Sequence, residues 1–149
     1  VNGERVDLDV PPNETLLDTL RQRLGLIGSK EVCRTGDCGA CTVIVDDDAV
    51  HSCLILTVEV DGSEILTIEG LTKDGTLHPL QEAFIEEDAV HCGYCTPGMI
   101  MANLALLREK PDPTAEDVKE AIRGNICRCG TYFNVINAVL KASKRMKKG

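Results

Sequence analysis

Eight cysteines stand in this chain as two ordered quartets, and a fold that must gather each quartet has little freedom left. The first is Cys33, Cys38, Cys41 and Cys53, a C-x4-C-x2-C run with a fourth cysteine after eleven further residues, which is the plant-type [2Fe-2S] ligand pattern. Three ligands from one tight loop and one from a more distant strand can surround a two-iron rhomb. Gly36 and Gly39 let that loop take positive φ and turn its N–H groups towards anionic sulfurs. The second quartet is Cys92, Cys95, Cys127 and Cys129, and no cysteine is left over.

The second spacing places Cys92 and Cys95 immediately before a helix and Cys127 and Cys129 in a turn between helices. The positive end of a helix dipole then faces Cys95 and favours thiolate over thiol. Zinc also accepts four thiolates, but a zinc ribbon usually has two C-x2-C knuckles where each quartet here has one. A four-iron cubane usually has C-x2-C-x2-C. A secreted disulfide scaffold is the remaining reading of a short cysteine-rich chain. An ordinary hydrophobic content of 43% and helices that can pack by themselves speak against it.

The 149 residues suffice for two small domains, expected at 1–74 and 75–149, because Gly75, Thr76 and Pro79 interrupt the periodic pattern there. A net charge of -8 argues against nucleic acid and anionic membrane surfaces, and two Phe, two Tyr and no Trp give no stacking platform. No apolar run approaches a membrane span and no charged-then-apolar leader is visible. A cytoplasmic location is therefore expected, or a periplasmic one if an export signal was removed upstream of Val1.

Along the first domain, Val1–Val10 reads as the end of one strand, an Asn2-Gly3 turn, and a second strand carrying Val6, Leu8 and Val10. Thr15 and Asp18 cap a helix whose Leu16, Leu17, Leu20 and Leu24 face the core before Gly25 ends it. Strands follow at Thr42–Val45, at Val50–Leu56, which returns Cys53, and at Glu64–Glu69. Together they suggest a small mixed sheet with a helix across one face. Asp46-Asp47-Asp48 is a solvated hairpin turn, lacking the alternation and terminal Glu of a calcium loop. The second domain has four helical patterns, starting at Leu80, at Thr96-Pro97, after a Thr114 cap, and at Val135. Lys141, Lys144, Arg145, Lys147 and Lys148 complement the last helix dipole. There is no internal repeat.

With these residues in view, the chain resembles the small iron-sulfur subunit, or the corresponding N-terminal part, of the molybdenum hydroxylases, among them xanthine dehydrogenase, aldehyde oxidoreductase and carbon monoxide dehydrogenase. The motifs are GDCGACTV at Gly36–Val43, SCL at Ser52–Leu54, TIEGL at Thr67–Leu71, CGYCTPGM at Cys92–Met99 and GNICRCGTY at Gly124–Tyr132. The resemblance implies an α+β protein with a plant-ferredoxin-like (β-grasp) domain followed by a four-helix-bundle domain, each with one [2Fe-2S] cluster. It implies a large molybdopterin-binding partner nearest the second cluster, and a medium FAD-binding partner or other acceptor on the side of the first. Electrons released by hydroxylation of an aldehyde, heterocycle or similar substrate would pass through both, so this chain would position cofactors and hold no catalytic residue.

Two positions depart from the family pattern. Val32 stands where Gly is usual, and His91 stands where a Gln reaches the pterin. A ring nitrogen of His91 can keep that contact, with a dependence on pH, or the residue is a packed neutral histidine. Arg128, between two ligands, is read as a partner to sulfur, as a contact to the partner chain, or as an offset of local charge. A free-standing two-cluster ferredoxin or redox sensor is the alternative function, and would show a uniformly polar surface around both clusters. A zinc-stabilised interaction module is the third.

Overall fold

The computed structural model describes residues 1–72 and 74–147, so Lys148 lies outside the described residues. Its elements are a short helix α1 (Leu16–Asp18), strands β1 (Thr42–Val45), β2 (Asp48–His51) and β3 (Ile65–Leu66), and helices α2 (Pro79–Glu86), α3 (Thr96–Glu109), α4 (Ala115–Ala121) and α5 (Tyr132–Met146). The strands form one sheet in the order β2-β1-β3, antiparallel in both pairings and not mixed as expected. The β1–β2 hairpin turns at Asp46 and Asp47, both at positive φ (49° and 81°), as a tight two-residue hairpin requires.

Strand β1 explains how two small domains become one body. Its sequence Thr-Val-Ile-Val is apolar without alternation because both faces are covered. Val43 points into a core with Leu16, Leu20, Val60 and Ile65, while Ile44 points the other way, into the helical core of Leu80, Phe84, Met99, Met101, Val118, Val135 and Val139. Each such burial contributes about 1.5–3 kcal/mol.

The helix after Thr15 is capped as expected, with the Thr15 hydroxyl accepting from the Asp18 N–H at 3.2 Å. It does not continue as a plain α-helix. Thr19–Arg23 widens into a π turn, closed by the Leu24 N–H to the Thr19 carbonyl at 3.1 Å. Leu17, ahead of that turn, and Leu20, within it, serve different clusters of buried side chains. The four later helices appear where the periodicity places them, and Thr114 with Asp117 forms a reciprocal cap. Thr96 opens α3 as its first residue, so Cys95 and not Thr96 occupies the cap position.

Three expectations are corrected. The Asn2-Gly3 turn forms, and Asn2 is anchored to Ile65 and Thr67, but residues 5–10 pair with no strand among the described residues. Val6 and Leu8 are exposed, since alternation alone cannot hold a strand whose backbone groups lack a neighbour. Of the expected Val50–Leu56 and Glu64–Glu69 strands only short parts pair, and Ile68–Leu71 is a 3-10 turn. The cations of α5 also do more than face solvent. Lys141 and Arg145 bridge to Glu86, and Lys141 to Glu87, tying α5 to α2, while Lys147 meets Asp112 at 2.7 Å.

Candidate metal centres

The loop Cys33–Cys41 is shaped by three residues at positive φ: Arg34 (57°), Gly36 (81°) and Gly39 (66°). For Arg34 that backbone is costly, and its guanidinium is held from two sides, by Asp18 (2.6 and 3.2 Å) and by Glu31 (2.6 Å). At Gly36 a Cβ would meet the Leu54 side chain at 2.4 Å. The Thr35 N–H donates to the Cys33 sulfur at 3.4 Å. That donor, followed by the Thr35 hydroxyl and then the Cys38 N–H, holds the Cys33 thiol down at about 6. Cys53 enters from the bend after β2, where buried Ser52 donates its hydroxyl to the Cys41 carbonyl at 2.8 Å. Leu17 packs against Cys41 and Cys53 from below. Burial, and then the neighbouring Cys41 sulfur, push the Cys53 thiol up to about 11.

The second group is assembled from three helix ends. Cys95 caps α3, Cys92 precedes it after a turn through Gly93 (φ 80°), and Cys127 and Cys129 sit between α4 and α5 beside Gly130 (φ 78°). Burial pushes the Cys127 thiol up, but the Thr131 N–H, then the Cys95 thiol, then the N–H groups of Cys129 and Gly130 outweigh it, so this thiol falls below its ordinary value. Cys95 goes the other way, to about 12, because burial and then the Cys127 sulfur beside it dominate. The expected lowering of Cys95 by the helix end is therefore not seen for the free thiol. Cys92 and Cys129 are exposed, with sulfurs 3.9 Å apart.

In both groups the sulfurs approach two by two: Cys33 with Cys38, Cys41 with Cys53, Cys92 with Cys129, and Cys95 with Cys127. Among the described residues no three His, Cys, Asp or Glu side chains converge on a single ion. Paired thiolates suit a two-iron rhomb, in which each iron takes two, better than one tetrahedral zinc. Burial of unpaired thiols is relieved when metal takes the thiolates, which couples loading to the fold.

The two loops also touch. The Ile126 N–H donates to the Cys38 carbonyl at 2.9 Å, and the buried Asn125 amide donates to the Gly39 carbonyl at 2.9 Å and to the Thr42 hydroxyl at 3.2 Å. Tyr94 reaches the Glu31 carbonyl at 3.3 Å. A Cβ on Gly98 would stand 2.2 Å from the Gly39 oxygen, which explains a glycine in the first turn of α3. From sequence, Asn125 with Gly124 reads only as the end of the third helix, and Gly98 and Tyr132 stand inside motifs with no role of their own. Only Gly98 carried a local signal, since glycine is disfavoured in a helix.

Two sulfur quartets on a small sheet domain and a helical domain define a protein of the two-cluster [2Fe-2S] class. Residues 1–67 match the 2Fe-2S iron-sulfur cluster binding domain, and residues 67–140 match the [2Fe-2S] binding domain. The chain is 44% identical to the aldehyde oxidoreductase iron-sulfur-binding subunit PaoA of Escherichia coli, over 99% of this chain and 71% of that one. It is 48% identical to the nicotinate dehydrogenase small FeS subunit of Eubacterium barkeri, over 97% and 92%. Its fold matches quinoline 2-oxidoreductase from Pseudomonas putida 86 with TM-score 0.89 and 38% identity, over 94% of this chain and 88% of that one. It also matches aldehyde oxidoreductase from Desulfovibrio gigas with TM-score 0.95 and 40% identity, over 99% of this chain but 16% of the other. The chain belongs to the iron-sulfur subunits of the molybdenum hydroxylases, which transfer electrons and are not themselves catalytic.

Proposed function

We propose that Cys33, Cys38, Cys41 and Cys53 hold one [2Fe-2S] cluster and that Cys92, Cys95, Cys127 and Cys129 hold the other. We place the division between the two domains at residues 74 and 75. In this reading the chain relays electrons from a molybdopterin site in a large partner chain to FAD in a medium partner chain or to another acceptor. When bound, each cluster supplies one-electron transfer. The chain's own part is to fix the sulfurs in pairs, aim N–H groups at Cys33 and Cys127, and shield Cys41, Cys53 and Cys127 from water.

The observation that carries the relay reading is the surface around the second quartet. Exposed Cys92 and Cys129 lie in two short segments, 90–94 and 126–133, that also expose Val90, Tyr94, Ile126 and Phe133, the last at 74%. Apolar side chains gathered at a cofactor edge favour burial against a partner, whereas a free-standing ferredoxin would carry a polar surface there. His91 is exposed beside Cys92, which supports a contact to the pterin over a packed histidine. Arg128 is likewise exposed between its two ligands, free to meet a partner chain. Among the described residues no helix is long and apolar enough to cross a membrane.

The test is native anaerobic purification with identification of every chain and metal recovered. A large molybdopterin chain should co-purify in equal amount, Phe133→Asp should release it while both clusters stay in place, and His91→Ala should slow electron entry within the intact complex. Elution of the unaltered chain alone, with its iron intact, would overturn the relay in favour of an independent ferredoxin.

A further inference from the structure

Tyr132 opens α5 five residues after Cys127, and its hydroxyl oxygen accepts the backbone N–H of Cys127 at 2.8 Å. The contact is unusual in its direction. The N–H groups of Thr131, Cys129 and Gly130, by contrast, act on the Cys127 sulfur and favour its thiolate. The N–H of Cys127 itself is turned away and covered by a phenolic oxygen. The ring that carries this oxygen closes a cleft with Ile122, Ile126 and Ile136, at the end of the protein where the second sulfur group sits.

We propose that Tyr132 is a positioning residue that fixes Cys127 and sets the reduction potential of the second cluster by capping the Cys127 N–H. The inference rests on the proposed assignment of Cys92, Cys95, Cys127 and Cys129 to that cluster. Without the phenolic oxygen, whose partial negative charge offsets it, the N–H would keep its positive charge unmasked beside Cys127 if it stays in place, and would reach the sulfur if it rotates. Either outcome stabilises the reduced, more negative state. The hydroxyl therefore holds the potential down, and it does so for one cluster only, since the contact lies within the second loop.

The experiment is a potentiometric titration followed by low-temperature electron paramagnetic resonance, on the full chain with both clusters in the complex in which it purifies. In Tyr132→Phe the reduced-to-oxidised ratio of the second cluster at fixed potential should rise at least threefold, about 30 mV upward. The first cluster serves as an internal reference and should not move. Ile136→Ala, which loosens the same cleft but keeps the hydroxyl, should leave both potentials in place.

If Tyr132→Phe loses its iron, replacement of tyrosine by fluorotyrosine in a Tyr94→Phe background tests the same oxygen. With only two tyrosines in the chain it labels Tyr132 alone within this chain, weakens it as an acceptor, and should give a smaller shift of the same sign than the Tyr94→Phe complex labelled in the same way but carrying Tyr132→Phe. An unmoved second potential in either oxygen variant, or an equal shift in Ile136→Ala, overturns the proposal. Failure of the underlying assignment looks different: the unaltered protein would then show no second [2Fe-2S] signal at all.

Discussion

Asn125 is the side chain through which the two halves of the molecule hold each other, and replacing it tests that role quantitatively. It is 4% exposed and gives two hydrogen bonds to the first loop, to the Gly39 carbonyl and the Thr42 hydroxyl. In Asn125→Ala both bonds go, at about 0.5–1.5 kcal/mol each, for a loss of roughly 1–3 kcal/mol. The Gly39 oxygen is not orphaned, because the Thr42 hydroxyl still reaches it at 2.7 Å and the Thr42 N–H at 3.1 Å. Asn125→Asp has the same shape but sets a carboxylate oxygen against that carbonyl, and an unpaired buried charge costs about 3–5 kcal/mol. With roughly 2–4 °C per kcal/mol for a chain of this size, the melting temperature should fall by about 2–12 °C for Ala and about 6–20 °C for Asp at pH 8. Burial raises the introduced carboxyl's pKa, so its neutral form should restore stability as pH falls, when an O–H can donate to the Gly39 oxygen. Thermal unfolding of the full chain at pH 5 and pH 8, followed by circular dichroism and by visible absorbance, reads all of this. If Asp is no worse than Ala at pH 8, the amide does not face Gly39 with its nitrogen and the strap is misread.

Two further predictions follow from the same contacts and from the thiols. Gly39→Ala puts a Cβ 2.3 Å from the Gly124 carbonyl oxygen and Gly98→Ala puts one 2.2 Å from the Gly39 oxygen, so both should lower iron at the first cluster. Gly130→Ala has a similar positive φ but open space and should cost only about 1–2 kcal/mol; iron content with resonance spectra separates the three, and equal iron in all would count against the close approach. In the iron-free chain Cys33, lowered to about 6, is thiolate between pH 6 and its ordinary 9.0, whereas Cys95, raised to about 12, stays protonated. Iodoacetamide at pH 7 should therefore label Cys33 well ahead of Cys95 by peptide mass spectrometry, and equal rates would contradict the assignment of the Thr35 N–H to Cys33. A depressed folded pKa favours the fold fully above 9.0, and that contribution is lost as pH falls through 6.

Cysteine spacing made most of the site legible, because ligand geometry is a local property of short loops. The C-x4-C-x2-C run needs positive φ at Gly36 and Gly39, and both have it. The four helices were legible for the same reason, each carrying its own period, with α4 also carrying its Thr114 cap. What escaped was non-local. Nothing in the Val6, Leu8, Val10 alternation says whether a neighbouring strand is there to pair with it, and none of the described strands is. Nor does sequence say that Arg34, a residue ill suited to positive φ, is held there by Asp18 sixteen positions earlier. The helix-end argument for Cys95 was sound in direction but smaller than the burial it met, a term set by the whole helical core.

The packing of β1 and the strap from Asn125 bear on what the molecule can do with two cofactors. Val43 and Ile44 are adjacent residues with opposite cores, so the sheet cannot shift relative to the helices without exposing one of them. Directly before this strand lie Cys38 and Cys41, and directly after the strap residues Asn125 and Ile126 lies Cys127. The separation of the two sulfur groups is thereby set by short covalent segments, by the Ile126–Cys38 backbone hydrogen bond and by the buried Asn125 amide. A carrier that delivers electrons by moving a domain would need the opposite, a polar and loosely packed junction between its halves. Here the junction is apolar, crossed by the Ile126–Cys38 and Asn125–Gly39 bonds, and closed by Gly98 at van der Waals limit. That packing opposes motion between the two sulfur groups within this chain and favours a fixed relay over a moving one.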